Sequence, residues 1–351
     1  MVRNYYWISL VKAAAMMGVV GIHVAGYTGV APGARDTLVG KVAILIATLG
    51  LCAVPLFVMV SGALLLDPAR FHGVNDFLKK RTLRILVPLV FWHVAYYLFI
   101  VFYLGWHLSP LQAVKNAMNG NLYTALYYFW VILGLSVLTP VLIPYVREKN
   151  NNILGFGVLA CCIPVLSVAL VSLRPGQPVW IHTPWTWWIP YLGYFMLGWA
   201  LKEVVLPRRW SVVAVCCAAV MVLGLYSTWS NSNVSILAAA VWPASYYSLA
   251  THLFTISAFL IIKSLPFVRT QAQCRVGARF AQVIGKLGEG TLGVFAMHLI
   301  VLAVLLRQEW FGRSPVSHSI MQLLARIVIV YVLTYAIVLA LRQAPALRRL
   351  L

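Results

Sequence analysis

The sequence predicts an all-α polytopic membrane protein: a single bundle of about ten transmembrane helices with both termini in the cytoplasm. Two features of composition support this prediction, because 62% of the 351 residues are hydrophobic and only 10% are charged. A third observation is that lysine and arginine concentrate in alternate connections between apolar runs. The connections are too short for a soluble domain, so residues 1–351 are expected to form one transmembrane domain.

Each predicted helix corresponds to an apolar run long enough to cross a hydrocarbon core. The first run is too long, and too closely followed by others, to be a cleaved signal peptide. The sixth contains the aromatic stretch "WTWWIPYLGYF", which is either an interfacial Trp and Tyr belt or a sugar-stacking platform at the outer surface. The predicted spans are residues 5–28, 41–66, 82–105, 122–146, 152–173, 185–204, 211–229, 245–266, 287–306 and 318–342.

The distribution of positive charge predicts the orientation. With the N-terminus in the cytoplasm, 19 lysine and arginine residues fall in cytoplasmic connections or at the cytoplasmic ends of spans, and six fall at the corresponding outer positions. This asymmetry follows the positive-inside rule. The formal charge of +20 therefore reflects topology, and nucleic acid is not expected as a partner. The expected location is the inner or plasma membrane, crossed several times.

Lys12 and His23 are polar residues within the first apolar run. They are eleven residues apart, so a helix places them within about 20° of one face and about 16 Å apart along its axis. Lys12 could extend to the headgroups or bind an anion from the cytoplasm. His23 could be a structural histidine or a general base.

Further polar residues have both structural and functional interpretations. One interpretation of the pair Ser61–Gly62 is close helix packing, which small residues permit in membranes. A basic cluster before the third span could be a topology signal or a phosphate site, because guanidinium groups bind phosphoryl oxygens at two points. The residues concerned are Lys79, Lys80, Arg81 and Arg84 in that cluster, and His93, His298 and Arg326 within later spans.

Taken together, the motifs resemble those of the acyltransferase-3 family of integral-membrane acyltransferases, over nearly the whole length. This family includes bacterial O-acetyltransferases of surface polysaccharides. Three departures stand out: Lys12 replaces an arginine, Ser9 stands where many members have Asp, and Glu289 lies in a usually neutral stretch. The segments that carry the resemblance are "KAAAMMGVVGIH", "VPLFVMVSGALLL", "FLKKRTLRILVP", "YYFWVILGLSVLTPVL", "YLGYFMLGWAL" and "IGKLGEGTLGVFAMH".

The resemblance implies transfer of an acyl group, by preference acetyl, from cytoplasmic acyl-CoA to a hydroxyl of an envelope glycan or glycolipid. Acetyl-CoA would be a co-substrate, with no permanently bound cofactor and no metal. The other expected partners are a glycan or lipid-linked sugar acceptor and membrane lipids. The implied roles are His23 as general base, Ser61 or Arg326 as oxyanion donor, Lys12, Arg81 and Arg84 as donor-binding residues, and His298 as an orienting residue.

Two other functions are compatible with the sequence. A glycan transporter or flippase is one, but carriers coupled to protons usually place acidic residues within spans. All seven acidic residues here are expected in loops or at span ends. The other is a catalytically inactive relative that acts as an assembly partner, which the departures at Lys12 and Ser9 leave open.

Overall fold

Twelve α-helices make up most of the chain that the structure, a computed structural model, describes. The described residues are 6–120, 122–147, 152–172, 183–231, 235, 238, 242–265 and 275–351. The helices are α1 Tyr6–Gly29, α2 Leu38–Gly50, α3 Ala53–Leu65, α4 Val74–Leu98, α5 Pro110–Met118, α6 Tyr127–Arg147, α7 Asn152–Ser172, α8 Leu192–Ala200, α9 Arg208–Ser230, α10 Leu249–Ser264, α11 Arg275–Leu305 and α12 Ile320–Leu341.

The all-helical multi-pass architecture is confirmed, with eight helical segments long and apolar enough to cross a membrane in the described part. The sixth and eighth predicted spans are helices too short for that criterion, α8 and α10. A count of about ten spans therefore stays a prediction. The eight segments are Tyr6–Gly29, Leu38–Leu65, Val74–Tyr103, Tyr127–Arg147, Asn152–Val171, Arg208–Ser230, Gln282–Leu305 and Ile320–Leu341.

Prolines explain the interruptions within the predicted second and sixth spans. The second span is two helices, because Pro55 has no N–H for the Leu51 carbonyl and its ring crowds that carbonyl. The chain makes a turn at residues 51–52, and α3 begins at Ala53. The sixth span, predicted from residue 185, becomes a 3-10 turn Ile189–Tyr191 that contains Pro190, followed by the short α8.

Two helical segments lie where the sequence predicted connections. The helix α11 begins at Arg275, not at residue 287, because its basic first half lowers the hydropathy without breaking the helix. That half is rich in Ala, Arg and Gln, which favour helix. The short α5 begins with a capping box, in which the Ser109 side chain accepts from the Gln112 N–H and the Gln112 side chain accepts from the Ser109 N–H.

Helix α1 lies at the centre of the bundle, against α2, α3, α10, α11 and α12. It runs parallel to α11, since Ser9 lies against Gly288 and His23 lies against His298. Helix α12 returns in the opposite direction, and its Tyr331 hydroxyl donates to the Ala13 carbonyl at 3.2 Å.

The start of α1 and the end of α12 therefore lie at the same end of the bundle. We call this the basic end, defined by Lys12, Glu289 and Arg342, and we call the opposite end the far end. Which side of the membrane the basic end faces, and hence the cytoplasmic location of both termini, stays a prediction.

Glycines allow α3 and α8 to cross at backbone contact. A Cβ on Gly62 would overlap the Phe195 carbonyl, and a Cβ on Gly198 would overlap the Met59 carbonyl. Neither carbonyl can move without shifting its helix. The packing interpretation of the Ser61–Gly62 pair is thus confirmed for Gly62.

Candidate active site

Two histidines from helices far apart in sequence meet inside the bundle. The imidazole rings of His23 on α1 and His298 on α11 have centroids 5.1 Å apart and planes inclined at 45°. His23 is partly buried and His298 is fully buried. Both were singled out from the sequence, but their contact depends on the parallel packing of α1 and α11.

The backbone of α11 fixes the tautomer of His298. Its Nδ1 lies 2.8 Å from the Phe295 carbonyl and 3.2 Å from the Val294 carbonyl. Since carbonyls only accept, Nδ1 must carry the proton, which leaves a lone pair on Nε2. Nε2 is buried and has no hydrogen-bond partner in the described part of the chain. A buried acceptor of this kind costs free energy unless a ligand or another side chain satisfies it.

Aromatic rings from three helices pack beside the histidine pair. Phe295, one turn before His298, has its ring centroid 4.7 Å from that of Tyr128 on α6 and 6.0 Å from that of Phe57 on α3. These three residues were not singled out as site residues. Helical spacing gives a signal for two of them, because Phe295 lies three residues before His298 and Phe57 lies four before Ser61.

Ser61 reaches this aromatic cluster through its hydroxyl. The Ser61 hydroxyl donates to the Phe57 carbonyl of its own helix at 2.8 Å and interacts with the Tyr128 hydroxyl. Its proton is thus engaged by the backbone, as is common for serine within helices. An oxyanion role for Ser61 would require this bond to break.

Lys12 lies at the basic end beside a carboxylate. It is partly exposed, and it interacts electrostatically with Glu289 on α11. Glu289 also pairs with Arg342 at 3.5 Å, and Arg342 donates to the Glu289 carbonyl at 3.0 Å. The Glu289 side chain is 68% exposed. Glu289 was expected at a span end and instead lies well inside the longer α11.

Side chains of α1 fill the stripe between Lys12 and His23. Met16 and Val19 lie on the same helix face and are buried, with 0% and 3% exposure. The shared face that the spacing predicted is therefore closed by protein atoms in this structure. A ligand that follows this face must displace Met16, whose unbranched side chain can change rotamer.

The predicted phosphate-binding residues on α4 form a cationic group of their own. Arg81 lies close enough to Arg84 and Arg70 to feel their charges, and its guanidinium sits 5.6 Å from the Phe77 ring centroid. Arg84 is exposed. Within the described residues no contact joins Arg81 or Arg84 to Lys12.

Arg326 is directed to the loop that precedes its own helix. Its Nε and Nη2 donate to the Phe311 carbonyl at 3.2 and 2.7 Å, and its Nη1 donates to the Val316 carbonyl at 3.2 Å. The same guanidinium also contacts Gly312, Pro315 and Ser317. All three nitrogens are thus used to hold residues 311–317 at the far end, which leaves none directed at the histidine pair.

Two further polar residues are buried for structural reasons that the sequence does not reveal. Lys263 donates to the carbonyls of Leu201 and Val204 at 2.8 and 2.7 Å, which satisfies acceptors at the end of α8. His252 stacks on Tyr194 with ring centroids 4.2 Å apart. Both contacts join elements distant in sequence, so periodicity could not predict them.

The comparison with protein families identifies the chemistry. A family model described as an acyltransferase domain matches residues 5–343, nearly the whole chain. No curated protein matches. No solved structure matches either. The family match covers α1 through α12, including both histidines.

Proposed function

The chain belongs to the acyltransferase-3 family, and we propose that it transfers an acetyl group from acetyl-CoA to a hydroxyl of a cell-envelope glycan or glycolipid. The observation that carries this proposal is the pair of His23 and His298 with the free Nε2 of His298. Imidazole is suited to proton transfer near neutral pH. An inward-facing pair in an apolar bundle is therefore a strong candidate for the reacting centre.

In this mechanism His23 is the general base. It takes the proton of the acceptor hydroxyl while that oxygen forms a bond to the thioester carbonyl carbon. The C–S bond then breaks, and the leaving thiolate of CoA takes the proton back from the His23 imidazolium. His298 acts as a positioning residue, since its Nε2 can accept the N–H of His23 and fix the orientation of that ring.

The donor approaches from the basic end. The phosphates of acetyl-CoA rest on Arg81 and Arg84, where guanidinium groups gather at one helix end. The slender thioester arm runs along α1 past Lys12, after Met16 has moved aside, so the charged part of the donor never enters the hydrocarbon core. Glu289 beside Lys12 limits how strongly this lysine attracts phosphate.

The decisive experiment is acetyl transfer in proteoliposomes by the His23→Ala variant. Loss of the general base should lower the rate by about 10²–10⁴-fold. His107→Ala is a matched control, because His107 is exposed and outside the helices. Full activity of His23→Ala would exclude this mechanism, and mass spectrometry of envelope glycans with and without the protein would identify the acceptor.

An inactive assembly partner is the alternative, and the electrostatic interaction of Lys12 with Glu289 favours it, because the carboxylate offsets a donor-binding charge. Hydrolysis of acetyl-CoA without acceptor distinguishes the two. Slow hydrolysis that depends on His23 supports the enzyme, whereas no turnover under any condition supports the assembly partner.

A further inference from the structure

A group of aromatic and polar side chains joins α4, α6 and the segment that precedes α8. Trp130 of α6 contacts His93 of α4 edge to face, with ring centroids 6.1 Å apart. On its other side Trp130 contacts Trp185, with ring centroids 5.0 Å apart and planes inclined at 69°. We call His93, Trp130 and Trp185 the indole wall.

The indole wall contains an unused donor and an unused acceptor. The Trp130 Nε1–H is buried and has no hydrogen-bond partner within the described residues. The His93 Nδ1 lies 2.7 Å from the Leu89 carbonyl, so Nδ1 carries the proton and Nε2 is left as an acceptor. A buried N–H without a partner is costly, and a bound hydroxyl would satisfy it.

The wall also presents an open aromatic surface. Trp185 is 57% exposed, and the segment that carries it is held in place. The Trp185 carbonyl accepts a hydrogen bond from the Trp188 indole N–H at 2.8 Å. The Trp187 ring fills the space beside Gly120, and the Trp188 ring fills the space beside Gly134. A flat ring on a fixed backbone offers a stacking surface with little entropy to lose.

Tyr96 connects the helix that carries His93 to the helix that carries His298. His93 and Tyr96 are three residues apart on α4 and share a face. The Tyr96 hydroxyl donates to the Ala296 carbonyl at 2.6 Å, two residues before His298. Because α4 and α11 run parallel, a molecule held by the wall is offset from His298 by about five residues, roughly 7–8 Å along the bundle axis toward the basic end.

We propose that the indole wall binds a pyranose ring of the acceptor, an inference that rests on the proposed function and names its substrate class. The apolar C–H face of the sugar stacks on Trp185. One ring hydroxyl accepts from the Trp130 Nε1–H, and a hydroxyl donates to the His93 Nε2. A lipid chain would use the rings but leave both polar atoms unsatisfied, so the donor and acceptor favour a sugar.

The test is saturation-transfer NMR on the full chain in nanodiscs with methyl glycosides of glucose, galactose and mannose, and with N-acetylglucosamine. The parent should bind at least one pyranose, and Trp185→Ala should raise its Kd at least about fivefold. Trp130→Phe keeps a ring but removes the donor, and a lost hydrogen bond corresponds to a Kd raised about 2–10-fold. Trp310→Ala is the matched control, because Trp310 is 67% exposed on a segment outside the wall and packs edge-on against Phe311.

Three results would overturn the indole wall as a sugar site. They are no pyranose binding by the parent, equal binding of acyclic sorbitol, and unchanged Kd values in Trp185→Ala and Trp130→Phe. Quenching of tryptophan fluorescence by brominated lipids is measured in parallel. If Trp185→Ala reduces this quenching to the same extent as Trp310→Ala and leaves pyranose binding unchanged, Trp185 is a membrane anchor.

A failure of the wall is distinguishable from a failure of the proposed function. Sugar binding that depends on the wall, in a protein that transfers no acetyl group, supports the wall and contradicts the function. If the protein transfers acetyl groups but its Kd for pyranoses is unchanged in both tryptophan variants, only the proposal of a sugar site at the indole wall is contradicted.

Discussion

Arg326 was predicted from the sequence to be important, but its contacts in the structure differ from the expected oxyanion role. A charged side chain within an apolar segment carries a free-energy cost of insertion, which marks this residue as important from the sequence alone. The structure shows its guanidinium bound to carbonyls of residues 311–317. The sequence could not predict these partners, because they are backbone carbonyls of an irregular segment, and every residue has a backbone carbonyl.

Arg326→Lys should therefore lower the free energy of unfolding while changing the rate of acetyl transfer little. An ammonium cannot reproduce the fork of contacts to Phe311 and Val316, and the loss of about two charge-assisted hydrogen bonds should lower the free energy of unfolding by about 2–4 kcal/mol. Thermal unfolding in detergent measures this change, with Arg313→Lys as control because its pair with Glu309 is exposed. A variant as stable as the parent but without acetyl transfer would restore the oxyanion role.

At the scale of helices, apolar runs predicted most elements, while their internal interruptions were missed. The turn at residues 51–52 follows from Pro55, and the late start of α8 follows from the 3-10 turn that contains Pro190. Hydropathy averages over such positions, so the second and sixth spans looked continuous. Helix α11 shows the reverse, because the charged residues within 275–286 lowered the hydropathy of a stretch that is nevertheless helical.

Gly62→Ala should disrupt the crossing of α3 and α8. The added methyl would overlap the Phe195 carbonyl, and overpacking of this kind costs about 1–3 kcal/mol or more. The folded yield on size-exclusion chromatography should fall. Gly155→Ala, on α7, has open space at its Cβ and should leave the yield unchanged; equal yields for both variants would show that the crossing can relax.

At the scale of the whole molecule, the charge asymmetry that predicts topology also concerns the donor. The net charge of +20 is carried mainly by connections that the sequence assigns to one side. A field of this sign would concentrate an anionic substrate at the basic end. The candidate active site could be predicted only in part. The sequence identified both histidines, but their contact depends on the parallel packing of α1 and α11.

Salt should weaken donor binding through this field. The screening length falls from about 10 Å at 0.1 M to about 3 Å at 1 M ionic strength, so the KM for acetyl-CoA should rise at least about threefold, with kcat little changed. Acetyl-pantetheine, which lacks the nucleotide phosphates, is the matched control. If both donors show the same salt dependence, the basic end does not act through phosphate.

The contact between His23 and His298 has a consequence for biogenesis. His23 is synthesised well before His298, because 274 residues lie between them along the chain. A ribosome that has released everything through α10 has produced one imidazole without its neighbour. The paired site therefore forms only after α11 has been inserted, and translation products that end before α11 carry only half of it.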